Sequence, residues 1–308
     1  MAEGGRNEHR TLGQTRTGGS NLLTPNLIRR IITNILVFLA THRQLMFALS
    51  DHLLHVEGEP FARDVDAQTV RDTLLRGRAC RAPVMGAVYG TLLNDRAALD
   101  ALGAAMHEAP YKAPPQAPVL YLKPRNTLAG HRARIAVPKE ASGIEVGASL
   151  GLVIGRTATH VSAEHALDYV AGYAIVADLS IPHTSVYRPS VRFRARDGFC
   201  AIGPALVAKR HVADPDRLPI AVAIDGRNVF EANTATSVRG VARLIADVTD
   251  FMTLSAGDVV TLGVPHGAPV ARAGDEAIIA IGAFEPLHLS FIEAVDAAEP
   301  AEPEGAKR

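Results

Sequence analysis

Residues 147–155 read Gly147-Ala148-Ser149-Leu150-Gly151-Leu152-Val153-Ile154-Gly155, and residues 172–180 read Gly172-Tyr173-Ala174-Ile175-Val176-Ala177-Asp178-Leu179-Ser180. In the first, Leu150 to Ile154 is an apolar, partly β-branched run closed by a glycine, the pattern of a buried strand. In the second, Asp178 reads either as a functional carboxylate or as a strand-end residue capping Ser180. From Met85 onward such short runs alternate with isolated helices. That alternation gives a strand-rich α+β chain rather than a βαβ array.

Working outward, Ser162-Ala163-Glu164 opens a short helix to Val170, with Gly172 placed to end it. Ile220–Ile224 and Asn228–Glu231 flank Asp225-Gly226-Arg227, a hairpin signal. Val238, Val241, Leu244, Ile245, Val248, Phe251 and Met252 recur at helical spacing, so one amphipathic helix faces the core. Val259–Val264 and Ala277–Ile281 follow the Gly-Asp turns at 257–258 and 274–275 and read as strands.

The chain of 308 residues has 32 basic and 32 acidic side chains, two cysteines and no tryptophan. It is long enough to bury a sizeable core. Charge neutrality argues against a nucleic-acid partner, which would need a basic face. Cys80 and Cys200 have no metal-ligand or disulfide spacing, so a reducing cytoplasmic setting is the natural one. Leu27 to Ala40 is apolar but carries Arg29, Arg30, Thr33 and Asn34. It falls short of the roughly 20 apolar residues that span a bilayer. Residues 1–20 are polar and glycine-rich, as disordered segments are. Residues 24–56 begin on Thr24-Pro25, a helix start, and predict one or two helices before a polar connector to about Val84. The expected organisation is therefore an extension over 1–84, a main domain over 85–291 and a charged tail over 292–308.

The two opening stretches, with Tyr121-Leu122-Lys123-Pro124 before them and Arg196-Asp197-Gly198-Phe199-Cys200 after, resemble the fumarylacetoacetate hydrolase superfamily. The resemblance covers about Met85 to Phe291. It is densest at 109–115, Lys123-Pro124-Arg125-Asn126-Thr127, Tyr187-Arg188-Pro189 and 196–200. Within the superfamily these words look most like the amino-terminal half of the two-half isomerase/decarboxylases of 4-hydroxyphenylacetate breakdown. The implied fold is a mixed β-sandwich or roll with a few peripheral helices. The family's halves start near Met85, which implies that Met85 is the native start and residues 1–84 an upstream addition; the alternative is an added helical segment used for assembly.

The resemblance also implies a site. Family members hold a divalent metal, Mg2+ or Mn2+, with a Glu-x-Glu and a later Asp. Here the two glutamate positions are Gly147 and Ser149, and only Asp178 remains, which implies weak or no metal binding. Glu145, two residues earlier on the same strand face, could supply a second oxygen if the register slipped by two. Lys123 sits where the family has a pocket-facing lysine, and Arg194 where it has another. Either could stabilise charge, and Arg194 could grip a carboxylate through two N–H bonds. The plain alternatives are a solvated lysine and an exposed strand arginine. Arg125, Asn233 and Thr234 stand at substrate-side positions, although Asn and Thr before a helix also cap it. The family's Thr-Gly-Thr-Pro word reads Leu262-Gly263-Val264-Pro265. The His and Glu that move protons in hydrolase-like relatives fall on Ala98 and Ala101, with His107 and Glu108 too far along to replace them. His131 and His183 are candidates by location only and read more naturally as surface residues.

The function implied is an isomerase/decarboxylase subunit of the 4-hydroxyphenylacetate meta-cleavage pathway. It would act on 2-hydroxyhepta-2,4-diene-1,7-dioate, on 5-carboxymethyl-2-oxo-hex-3-ene-1,6-dioate, or on both. The alternatives are a non-catalytic structural partner of a metal-bearing paralogous subunit, and a metal-dependent hydrolase of an acylpyruvate-like substrate. The expected partners are a small dicarboxylate and further subunits, in a homo-oligomer or a heteromer, with no nucleic acid and no membrane.

Overall fold

Strand β7 (Ile144–Ile154) and strand β8 (Val170–Ser180) are antiparallel neighbours of eleven residues each, buried on both faces. This is a computed structural model, and it describes residues 51–84, 86–109, 112–183 and 190–294. Their alternation separates two cores. Val146, Ala148, Leu150 and Leu152, with Tyr173, Ile175, Ala177 and Leu179, face one cluster, while Val153, Ala174 and Val176 face the other. Period-two packing is what strands buried on both sides require. It also fixes the facing of Asp178, which shares the face of Ala174 and Val176.

The remaining strands fall into two sheets. They are β1 (His52–Leu54), β2 (Arg63–Val65), β3 (Val88–Leu92), β4 (Val119–Lys123), β5 (Leu128–Ala129), β6 (Ala133–Val137), β9 (Cys200–Ala208), β10 (Pro219–Ile224), β11 (Arg227–Asn233), β12 (Val259–Thr261), β13 (Val270–Ala271), β14 (Glu276–Ile281) and β15 (Leu287–Glu293). The larger sheet runs β2-β1-β9-β8-β7-β12-β3-β4, with β5 on β9 and β13 on β7, and the smaller runs β11-β10-β14-β15-β6. The helices are α1 (Ala67–Leu75), α2 (Arg96–Leu102), α3 (Val191–Arg194) and α4 (Val241–Thr249). Helix α4 buries Val241, Leu244, Ile245 and Val248 completely, as its spacing predicts, whereas Val238 and Phe251 of the predicted core stripe lie outside the helix and are exposed. The β10–β11 hairpin turns through Asp225 and Gly226, both at positive φ, as that sequence demands. Among the described residues, no helix is long and apolar enough to cross a membrane.

Three expectations change. His52–Leu54, in the stretch predicted helical over 24–56, form strand β1, which pairs with β9, and residues 24–50 lie outside the described residues. The expected polar connector carries β2 and α1, so the large sheet begins upstream of Met85. The predicted helix over 162–170 shrinks to a 3-10 turn at Ala166–Tyr169, and Gly172 lies inside β8 instead of ending a helix. The glycine is needed there because a Cβ would lie 2.1 Å from the Val207 carbonyl oxygen on β9. The expected disorder of residues 1–20, the Leu27–Ala40 segment and the tail beyond Ala294 also lie outside the described residues.

His131, expected at the surface, is 3 % exposed. Its Nδ1 accepts the His288 backbone N–H at 3.3 Å and its ring lies 5.2 Å from that of His288. Burial, then His288 and Arg132, push its pKa down to about 4.

Two measurements test this packing. Gly172→Ala should lower the urea midpoint by the equivalent of about 1–3 kcal/mol, the usual cost of forcing a methyl into a filled space. A depressed histidine pKa contributes stability above its unfolded value of about 6.5 that is lost as pH falls toward the folded value. Unfolding free energy should therefore fall more steeply between pH 6.5 and 4 in the natural protein than in His131→Gln, by parallel urea titrations.

Candidate functional site

Strand β4 ends on Lys123, and the period of two puts Tyr121 on the same face. In the pairing with β3, Lys123 lies opposite Val88 and Tyr121 opposite Gly90. A Cβ at residue 90 would stand 2.0 Å from the Tyr121 ring, so the ring needs glycine beneath it. Across the sheet, β8 brings Asp178 opposite Gly147 on β7 and opposite Cys200 on β9. Helix α3 docks onto the end of β8 through Ile181 N–H to Phe193 C=O at 3.0 Å, which delivers Arg194.

These elements converge on one carboxylate. The Lys123 ammonium lies 2.7 Å from Asp178 Oδ1, and both side chains are fully buried. Its N–H groups donate to the carbonyls of Leu179 at 2.9 Å, Phe199 at 2.9 Å and Arg194 at 3.1 Å. With three donors directed at three carbonyls, the contact to Oδ1 is an ion pair off the hydrogen-bond axis. Tyr121 donates its O–H to Asp178 Oδ2. Arg194 Nη1 lies 3.8 Å from Asp178 Oδ1 and 3.4 Å from the Tyr121 oxygen, with the guanidinium 4.9 Å from the ring centroid. Arg194 Nε is buried without a hydrogen-bond partner among the described residues.

The electrostatics follow from burial. Desolvation, and then the Asp178 charge, hold the Tyr121 phenol well above its ordinary pKa, so it keeps its proton at neutral pH. Cys200 is pushed up to about 12 by burial and stays a thiol. Among the groups in direct contact, two cations and one anion leave one positive unit, with the half-buried Glu145 carboxyl, which also feels Arg194, outside the cluster. An uncompensated charge in a low-dielectric site is costly, and an incoming anion relieves it.

The expected site residues divide clearly. Asp178, Lys123 and Arg194 come together. Arg194 is neither exposed nor on a strand, since it ends a helical turn with its side chain 13 % exposed. Lys123 is not solvated. Arg125 lies exposed on the 3-10 turn after Lys123, in no contact with the cluster. Asn233 caps the next turn through Ala235 N–H at 2.9 Å, and Thr234 Oγ1 accepts Leu218 N–H at 2.8 Å, so both serve their own loop. Ala98 and Ala101 lie on α2, and His107 and Glu108 are exposed beyond it. His183 stacks on Phe193 at 4.9 Å and meets the Ile181 carbonyl through Nδ1 at 2.8 Å. Tyr121 was missed by the sequence reading. Its signal was the two-residue spacing from Lys123, which only acquires meaning once both are known to lie on one strand. The words at 109–115 and 187–189 fall partly or wholly outside the described residues.

The donor set does not fit a divalent metal. Gly147, not Glu145, faces Asp178, and a Cβ at 147 would lie 2.5 Å from the Asp178 carbonyl oxygen and 2.8 Å from a Val264 methyl. The Ser149 hydroxyl, fully buried, accepts the Gly263 N–H at 3.1 Å. Glu145 is half-buried, and desolvation raises its pKa, opposed by Arg194 and His183. Among the described residues, no three acidic, histidine or cysteine side chains cluster as a metal would need. Asp178 already holds a phenol and two cations, and a third cation would meet their repulsion.

Comparison with known proteins agrees with this architecture. The model of the fumarylacetoacetate hydrolase C-terminal family matches residues 87–289. The 4-hydroxyphenylacetate degradation bifunctional isomerase/decarboxylase of Escherichia coli is 38 % identical over 208 residues, 68 % of this chain and 47 % of that protein. The chain thus spans about half the length of the curated relatives it matches. The 5-carboxymethyl-2-hydroxymuconate delta-isomerase from Mycobacterium smegmatis aligns with a TM-score of 0.60 and 26 % identity over 71 % of this chain and 82 % of its own. Fumarylpyruvate hydrolase from Pseudomonas aeruginosa, solved with Mn2+ and pyruvate, shares the fold with a TM-score of 0.61 and 20 % identity, covering 79 % of this chain and 96 % of its own. The chain belongs to the fumarylacetoacetate hydrolase family.

Proposed function

We propose that this chain isomerises or decarboxylates 2-oxo and 2-hydroxydienoic dicarboxylates of 4-hydroxyphenylacetate breakdown through a dienolate, without a metal. The candidate substrates are 2-hydroxyhepta-2,4-diene-1,7-dioate and 5-carboxymethyl-2-oxo-hex-3-ene-1,6-dioate. The observation that carries this reading is the buried positive excess around Asp178, since both reactions place negative charge on the C2 oxygen. Fixed charge aimed at a developing oxyanion is commonly the largest catalytic contribution.

Each residue has a distinct part. Arg194, the cation of the cluster with some exposure, holds the C1 carboxylate and faces the C2 oxygen. Lys123 supplies charge and holds Asp178, but its N–H groups are engaged by carbonyls and it takes no part in proton transfer. Tyr121 and Asp178 form the proton relay. The phenol oxygen takes the enol proton while passing its own to Asp178. Water then protonates C5, and Asp178 returns its proton to solvent through Tyr121. Arg125, exposed two residues past Lys123, is the proposed contact for the far carboxylate.

A second reading draws on Gly147 and Ser149, which leave Asp178 without the carboxylates of the family's metal-binding pattern. In it, the chain is a structural partner of a metal-bearing paralogous subunit. The metal-dependent hydrolase reading has no support from this donor set.

The decay of ultraviolet absorbance of 2-hydroxyhepta-2,4-diene-1,7-dioate with the purified chain separates these readings. Turnover is expected to be the same with Mg2+ and with chelator. Tyr121→Phe should lower kcat by about 10²–10⁴-fold, the range for a general acid–base group, with KM little changed. Arg194→Ala should lower kcat/KM by about 10²–10³-fold, and Arg194→Lys by less. Absence of decay at any enzyme concentration, restored by a co-expressed paralogue, would establish the partner reading instead. Independently, Mn2+ monitored by electron paramagnetic resonance should show no saturable loss of the free-ion signal. Saturable binding abolished by Asp178→Asn would overturn the metal-free assignment.

A further inference from the structure

A cleft of about 560 Å3 lies where the segment before Val84 crosses the turn between β5 and β6, and it shares no lining residue with the Asp178 cluster. The crossing is tight. Cys80 N–H donates to the His131 carbonyl at 3.2 Å, and a Cβ on Gly130 would stand 1.8 Å from the Cys80 carbonyl oxygen. Three arginines, Arg81, Arg132 and Arg134, line the cleft, against one acid, Glu57. Among the described residues, none of the three has a carboxylate within 4.0 Å or a side-chain hydrogen bond. Elsewhere, Arg63, Arg71, Arg196 and Arg239 each meet a carboxylate at 2.6–3.1 Å.

The nearby carboxylate of Glu59 is already paired with Arg63 at 3.1 Å. Cys80 is pushed up to about 11 by burial, and His131 down to about 4, so both are neutral at pH 7. The cleft therefore holds three guanidiniums and one carboxylate, an excess of two positive charges. Arg132 also adopts a left-handed backbone, φ 65°, held by its N–H to the His288 carbonyl at 2.8 Å. That conformation is unfavourable for a residue with a Cβ, so the turn would be better served by glycine if it only had to reverse direction. Strain of this kind is found where a side chain must be presented. Guanidinium forks match carboxylate and phosphate oxygens in pairs, and the volume suits a small molecule.

We propose that this cleft is a second binding site, for a small multiply charged oxyanion of the di- or tricarboxylate or phosphate class. Isothermal titration of the full chain with inorganic phosphate, and separately with citrate, at constant ionic strength set by chloride, tests it. Saturable binding of one or both probes is expected, with the dissociation constant raised at least about 10-fold in Arg81→Ala/Arg134→Ala. Binding should be unchanged in Arg194→Ala, which separates this cleft from the Asp178 cluster. Phosphate alone binding would identify a phosphorylated ligand, and citrate alone a polycarboxylate. Should the alanine pair fail to fold, Arg81→Lys/Arg134→Lys keeps the charge and must still weaken binding by removing the forks. No saturable heat with either probe, or equal binding by the arginine variants, would overturn the proposal. So would loss of binding in Arg194→Ala alone.

Discussion

The ammonium of Lys123 is the constraint on which the site rests. It lies wholly inside the protein, and a buried cation persists only if its donors are matched and its charge is paired. The carbonyls that match it come from the end of β8, from α3 and from the approach to β9. One side chain thus ties together three segments that are distant from it in sequence. Removing it would leave three buried carbonyls without their donor and take from Asp178 its nearest cation. Such losses cost far more than the interaction contributes when intact.

From that anchor the charge balance follows. Three carboxylates set against two lysines make a site that attracts cations, and this is the arrangement implied by the family's metal-binding pattern. Here the two glutamate positions carry Gly147 and Ser149, while an arginine stands at the second basic position. On the proposed reading the sign of the buried charge is inverted, from a site that draws in a metal to one that draws in an anion. The same electrostatic task, stabilising an enolate oxygen, can be met by either arrangement. In one the positive charge is borrowed from an ion, and in the other it is built into the chain. Val264 and the fixed β7–β8 register close the space that a glutamate at 147 would occupy.

Much of the frame was legible along the chain. The apolar run at 150–154, the Asp-Gly hairpin and the stripe at 241–248 each carry a local signal strong enough to survive folding, because period and turn chemistry are local properties. The segment before Met85 misled for the opposite reason. His52–Leu54 is a strand because β9 has a free edge to pair with, and no pattern within three residues announces that. Gly172 reads as a helix stop in isolation. It is needed because a Cβ there would lie 2.1 Å from a carbonyl oxygen of the neighbouring strand, a closeness set by residues far apart in sequence.

At the site, the sequence by itself determined the inventory: one carboxylate, a lysine, an arginine, and no metal-ligand pair around them. Side-chain identity fixes which charges exist, and no fold can add a missing carboxylate. Only the tertiary structure decided what those charges do. It placed Tyr121 on Asp178, because strand period and the glycine opposite let the ring lie flat. It also turned Arg194 inward, set Asn233 to cap its own turn and bound the Thr234 hydroxyl to the Leu218 N–H. Hydrogen-bond partners and burial belong to pairs of residues brought together by the sheet, and neither is a property of a residue read alone.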